Sequence, residues 1–202
     1  MILVVLFLTF CGQIFGELPS PYDTLKEILP FDAHGMYINA IPMEKLIQTR
    51  HVKVVIELGC WLGKSTRHIA NVLPEDGKVF AVDHWLGSSE HQHSVEQPVL
   101  YEQFLSNVIH AHLVDKIIPI RKTTLEAAEE FKKQGLKPDL VYVDASHDEE
   151  SVYADLTAYY PLVQGHGVLC GDDWGWGGEF GFPVCKAVYR FAVENHLSVD
   201  LF

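Results

Sequence analysis

From His51 onward the apolar positions of the chain switch between two rhythms. Short runs rich in β-branched residues read as strands: Val52–Leu58, Lys78–Asp83, Lys116–Ile120, Asp139–Asp144 and Gly167–Cys170. Between them, apolar residues return every third or fourth position. These segments, about Lys64–Val72, Val99–His112, Thr124–Gln134, Glu149–Val163 and Val184–Asn195, read as helices. Pro74, Asp76-Gly77 and Gly135 punctuate them. Regular strand–helix alternation predicts an α/β fold with a doubly wound, mostly parallel sheet and right-handed crossovers. Val54, Val55 and Ile56 suit a strand buried on both faces. Val199–Phe202 reads as the start of a sixth strand.

The first fifty residues follow neither rhythm. Ile2 to Phe15 is almost wholly apolar and carries no charge. It is shorter than the roughly 20 residues of a membrane span, and it reads as a signal peptide's apolar region or an anchor. An apolar arm packed on the domain or on a partner is the other reading. Residues 17–50 carry Pro19, Pro21, Pro30 and Pro42 and break into short pieces, with helices expected at Tyr22–Leu29 and Pro42–Thr49. The expected organisation is therefore a signal-like or anchor segment (1–16), a helical lead-in (17–50) that lines one wall of the site, and one α/β domain (51–202).

The net charge of −12 argues against a nucleic-acid partner, which would need clustered Lys and Arg. Four cysteines are too few for a disulfide framework at this length and lack metal-finger spacing. Cys170 lies in an apolar strand and reads as core.

The chemistry should lie beyond the carboxyl ends of the strands. Strand one runs into Glu57-x-Gly59-x-x-x-Gly63, a glycine turn before a helix, where Gly59 and Gly63 let the backbone turn and approach a ligand. The spacing is neither Gly-x-Gly-x-x-Gly nor that of a phosphate loop, although Gly63-Lys64-Ser65 invites the second reading. Strand two ends in Asp83, placed to accept hydrogen bonds from two ribose hydroxyls, or else to cap a loop. Strand four ends in Asp144-Ala145-Ser146-His147 and strand five in Gly171-Asp172-Asp173. As neighbours, these strands would bring Asp144, Asp172 and Asp173 together with His147. Carboxylates that close repel unless a cation lies between them, and an oxygen-only set suits Mg²⁺ or another hard divalent ion. His147 suits a general base, or sits idle in the first turn of a helix opened by a Ser146-x-x-Glu149 capping box. His91 and His93 read as solvated loop residues.

The glycine turn resembles motif I of class I S-adenosylmethionine-dependent methyltransferases. Asp144-x-x-His147 with Asp172-Asp173 resembles the active site of metal-dependent O-methyltransferases of the macrocin and mycinamicin type, and is similar to the catechol and caffeoyl-CoA enzymes. The resemblance covers about His51 to Asn195. It implies a Rossmann-like fold in which Glu57, Gly59, Gly63, Asp83 and Asp144 serve the cofactor. Thr123 or Thr124 would approach the adenine. Asp144, Asp172 and Asp173 would hold the metal, and His147 would be the base. Such folds usually add strands six and seven, so here the sheet is trimmed, completed by a partner, or cut short with the sequence.

The expected reaction is methyl transfer to a hydroxyl of a small molecule, a sugar diol or a catechol. Trp85, Trp174, Trp176, Phe180 and Phe182 would offer flat apolar surface, and Gly175, Gly177, Gly178 and Gly181 a mobile lid. Two other readings stand beside it: a phosphate-loop nucleotide hydrolase built on Gly63-Lys64-Ser65, and a binding domain that keeps the fold without catalysis. Membrane association through residues 2–15 and homo-oligomerisation complete the expectations. The compartment stays open, because the cofactor is cytosolic while the N-terminus looks exported.

Overall fold

The computed structural model describes residues 18–87 and 99–201. Eleven helices and strands alternate along it: α1 (Ala40–Arg50), β1 (Val54–Leu58), α2 (Lys64–Val72), β2 (Lys78–Asp83), α3 (Leu100–His110), β3 (Ile117–Arg121), α4 (Thr124–Gln134), β4 (Leu140–Val143), α5 (Glu149–Tyr159), β5 (Val168–Gly171) and α6 (Pro183–Glu194). The strands form one sheet in the order β3-β2-β1-β4-β5, and every pairing is parallel. The chain order reverses between β1 and β4, so the switch point, and the crevice beyond it, lie there.

The period-two pattern of the strands sorts the core into two layers. Val55, Leu140 and Tyr142 face one layer, with Ile69 of α2 and Phe104 and Leu105 of α3. Ile56, Leu58, Val141 and Val143 face the other, with Phe131 of α4, Leu156 of α5 and Phe191 of α6. A sheet covered on both faces explains why β1 and β4 read as unbroken apolar runs.

The lead-in is strapped over the first layer. The buried Tyr22 hydroxyl donates to the Ile117 carbonyl at 2.8 Å. The Leu29 amide donates to Ser106 Oγ at 3.0 Å and the Asp32 amide to Asn107 Oδ1 at 2.9 Å. Both acceptors lie on α3.

Several expectations are corrected. The helix expected at Tyr22–Leu29 is a single 3-10 turn, Tyr22–Thr24. Helix α5 ends at Tyr159 rather than Val163, and a 3-10 turn, Tyr160–Leu162, follows, because Pro161 has no N–H to continue the α ladder. Its N-cap is Asp148, whose side chain accepts from the Ser151 amide at 3.0 Å, so the Ser146 capping box does not form. Residues 199–201 form no strand, and Phe202, His91, His93 and residues 1–17 lie outside the described residues. Trp85 is 2% exposed and stacks between Tyr101 and Phe104, so it is core rather than a substrate surface. Among the described residues no helix is long and apolar enough to cross a membrane.

Candidate active site at the strand ends

The glycine turn comes first. Gly59 has φ +84°, and a Cβ there would lie 1.9 Å from the Asp144 carbonyl oxygen. Gly63 has φ +77°, and its Cβ would meet the Phe104 ring at 2.8 Å. Both glycines allow close approach within the chain, of β1 to the end of β4 and of the turn to α3.

The Asp83 and Glu57 carboxylates of this half each accept from donors of the same chain. Asp83 Oδ2 accepts the amides of Cys60 at 3.0 Å and Trp61 at 2.9 Å, and Oδ1 accepts that of Trp85 at 2.7 Å. A carboxylate offers about four acceptor sites, so three are taken and one stays open. Glu57 is fully buried and accepts the Ser65 hydroxyl. Burial pushes its carboxyl up to about 7, against the opposing Ser65 bond. Lys64 donates to the Gly35 carbonyl at 2.7 Å. The two side chains that a phosphate loop would aim at a nucleotide therefore hold the protein's own carbonyl and carboxylate.

Thr123 caps α4. Its Oγ1 accepts the Glu126 amide at 3.3 Å, and Glu126 in turn accepts the Thr123 amide at 3.1 Å. Thr124 donates its hydroxyl to the buried Asp155 at 2.5 Å. Both threonines thus have structural tasks in the place where an adenine contact was expected.

The ends of β4 and β5 differ in kind. Atoms of Asp144, His147 and Asp173 lie within 4.8 Å of one another, a group able to hold a metal ion. His147 Nε2 stands 2.8 Å from Asp173 Oδ2, and its ring stacks on Trp176 with centroids 4.7 Å apart. Burial, and then the charges of Asp172 and Asp173, push the Asp144 carboxyl up to about 8. Asp173 moves the other way, held below the ordinary range by its hydrogen bond to His147. Its backbone is left-handed, at φ +58°. Asp172 lies outside the group: its Oδ2 accepts the Tyr142 hydroxyl at 3.0 Å and its Oδ1 the next amide at 2.7 Å. The sequence expected all three acids to converge with His147; the structure brings Asp144 and Asp173 to His147 and turns Asp172 toward Tyr142 of β4.

Tyr142 was missed because a Tyr in an apolar strand reads as core. Lys64 was read only as a phosphate-loop residue, because nothing in the sequence brings Gly35 to it.

A five-stranded parallel sheet with a glycine turn at its switch point and an acid–imidazole group on the adjoining strands defines a Rossmann-like group-transfer enzyme. A family profile described as a methyltransferase domain matches residues 56–174, and the chain belongs to that family. The match starts in β1 and ends at Trp174, just past the acidic pair. No curated protein matches the chain. Solved structures share the fold. An O-methyltransferase from Bacillus cereus, determined in complex with SAH, is 20% identical with a TM-score of 0.63, covering 81% of this chain and 71% of its own. The O-methyltransferase TomG from Streptomyces achromogenes, involved in tomaymycin synthesis and determined in complex with SAM, is 18% identical with a TM-score of 0.63, covering 81% and 70%.

Proposed function

We propose that the protein is an S-adenosylmethionine-dependent O-methyltransferase that acts on a hydroxyl of a small molecule. The observation that carries this is the meeting of Asp144, His147 and Asp173 beside the glycine turn, within a methyltransferase-family fold. The carboxylates of Asp83 and Asp144 at the strand ends suit a cofactor that bears a sulfonium and an ammonium. The one acceptor site left on Asp83 suits a ribose hydroxyl. The B. cereus and S. achromogenes structures, with SAH and SAM bound, support the same cofactor.

Methyl transfer needs oxygen, methyl carbon and sulfur in line, which the protein supplies by positioning. The hydroxyl must lose its proton. His147, steadied by Asp173 beside its Nε2, is the group proposed to take it. The Asp173 carboxylate then steadies the imidazolium. Two carboxylate oxygens and an imidazole nitrogen also suit a divalent cation, Mg²⁺ or Mn²⁺, with Asp144 and Asp173 as ligands. Bound there, the ion would supply positive charge that favours ionisation of a nearby hydroxyl. Asp172, bonded to Tyr142, acts from behind through its charge. A substrate with two neighbouring oxygens fits such a centre, and Trp176 beside His147 offers it a flat wall.

The test is calorimetric titration of the full chain with S-adenosylmethionine, followed by methyl transfer to catechol and sugar-diol substrates with and without Mg²⁺. Cofactor binding and Mg²⁺-stimulated turnover are expected. Binding of ATP in place of S-adenosylmethionine would overturn the reading, and binding without turnover on any diol would favour a non-catalytic domain. A His147→Gln variant separates the two tasks of His147. Lost cation affinity makes it a ligand, whereas retained affinity with lost turnover makes it the base.

A further inference from the structure

One cluster outside the acidic centre has no part in the chemistry above. His68, in the middle of α2, stands between a carboxylate and a phenol. Its Nε2 lies 2.9 Å from Glu44 Oε1 on α1, and its Nδ1 lies 3.1 Å from the Tyr37 hydroxyl. An ionised carboxylate only accepts, so it fixes the hydrogen of the neutral ring on Nε2 and leaves Nδ1 to accept from the phenol. Burial pushes the Tyr37 hydroxyl up, well out of reach of ionisation, which keeps it a donor. The chain of bonds runs from a half-exposed carboxylate, 46% accessible, inward to a ring packed on the core.

Tyr37 sits in a segment with a regular habit. From Gly35 to Asn39 the residues alternate between partly buried and exposed: Gly35, Tyr37 and Asn39 inward, Met36 and Ile38 outward. Two of the inward residues, Gly35 and Tyr37, are tied to α2. Gly35 takes the Lys64 amine at the start of α2. Tyr37 takes His68, also on α2. The segment is thus held along α2, the helix that follows the glycine turn.

We infer that Glu44, His68 and Tyr37 act as one positioning unit, which clamps residues 35–39 onto α2 beside the glycine turn and so sets the affinity of the site for the methyl donor. The link to the methyl donor rests on the function proposed above; the clamp itself does not. Tyr37 is a positioning residue here, acting through the segment it fixes.

Two measurements on the full chain test this. The first is hydrogen exchange of residues 35–41 without cofactor, comparing wild type with Tyr37→Phe, which keeps the ring and loses only the hydroxyl. Exchange about five- to tenfold faster is expected, the effect of one partly buried hydrogen bond. The second is calorimetric titration with S-adenosylmethionine, where Tyr37→Phe should weaken binding by about the same factor and Glu44→Gln by less, with far-ultraviolet circular dichroism unchanged. Unchanged exchange overturns the clamp. Faster exchange with unchanged affinity overturns its link to the cofactor. A wild-type chain that does not bind S-adenosylmethionine overturns the proposed function and that link with it, while the exchange data still decide the clamp.

Discussion

The two halves of the strand-end crevice are built on opposite principles. At β1 and β2 each carboxylate is bonded to a donor of the same chain: Asp83 to three amides and Glu57 to the Ser65 hydroxyl. At β4 and β5 the carboxylates face one another and an imidazole, with Asp144 pushed up and Asp173 held down. The first arrangement fixes backbone, as a cradle requires. The second keeps charge close to charge, which a proton or a cation must relieve. Changes in the cradle should therefore cost stability, and changes in the acidic group should cost activity.

The largest effect belongs to the cradle. Gly59→Ala would place a Cβ 1.9 Å from a backbone oxygen at a left-handed φ, where no rotamer can relieve the clash. A loss of about 4 kcal/mol or more is expected from chemical denaturation. Gly175→Ala, with nothing within 4 Å of its Cβ, should stay within about 0.5 kcal/mol. Equal stability of the two variants would break the comparison at its first half.

On the acidic side, His147→Ala and Asp173→Asn should lower methyl transfer by about 10²–10⁴-fold. Asn tolerates the left-handed backbone at 173, so thermal unfolding should barely move in that variant. Large destabilisation with normal turnover per folded molecule would make this group structural. A smaller effect follows from Asp83→Ala, which strands three amides. About 2–3 kcal/mol of stability should be lost, more than for Asp172→Asn, where Tyr142 keeps an acceptor.

The same division governs what the sequence disclosed. Strand and helix periods follow from burial on one face or two, so α2, β2 and α4 have the bounds that the pattern predicts. The glycine turn was legible because a left-handed φ and a close approach demand glycine, but the pattern does not say what is approached. At Gly59 it is Asp144, which is 85 positions away in the chain. Asp144, His147 and Asp173 were legible as strand-end residues. Their meeting was legible from the neighbouring strands, but the turning of Asp172 to Tyr142 was not, since a Tyr in an apolar strand reads as core. The lead-in was the least legible. Tyr37 and His68 have no motif spacing, and only packing of α1 on α2 brings them together.

The smallest predicted effect tests the buried carboxyls outside the acidic group. Glu57 is pushed up to about 7 from 4.5, chiefly by burial, and Asp155, bonded to Thr124, to about 6 from 3.8 for the same reason. Between the unfolded and folded values the folded protein holds a proton that the unfolded chain has released. The unfolded state then binds fewer protons, so stability falls as pH rises through each window. The contribution is fully present below the unfolded value and is lost above the folded one. The windows are pH 4.5 to 7 for Glu57 and pH 3.8 to 6 for Asp155. Each full shift corresponds to at most about 3 kcal/mol, and about 1–2 kcal/mol is the expected yield. Neutral isosteres isolate the two contributions. Relative to wild type, Glu57→Gln should gain stability from pH 4.5 to 7, and Asp155→Asn from pH 3.8 to 6, in urea titrations at half-unit steps. A difference that stays flat for Glu57→Gln would mean that the Ser65 bond outweighs burial, leaving Glu57 ionised throughout. The cradle half would then carry standing charge like its neighbour, and the contrast between the halves would narrow to hydrogen bonding alone.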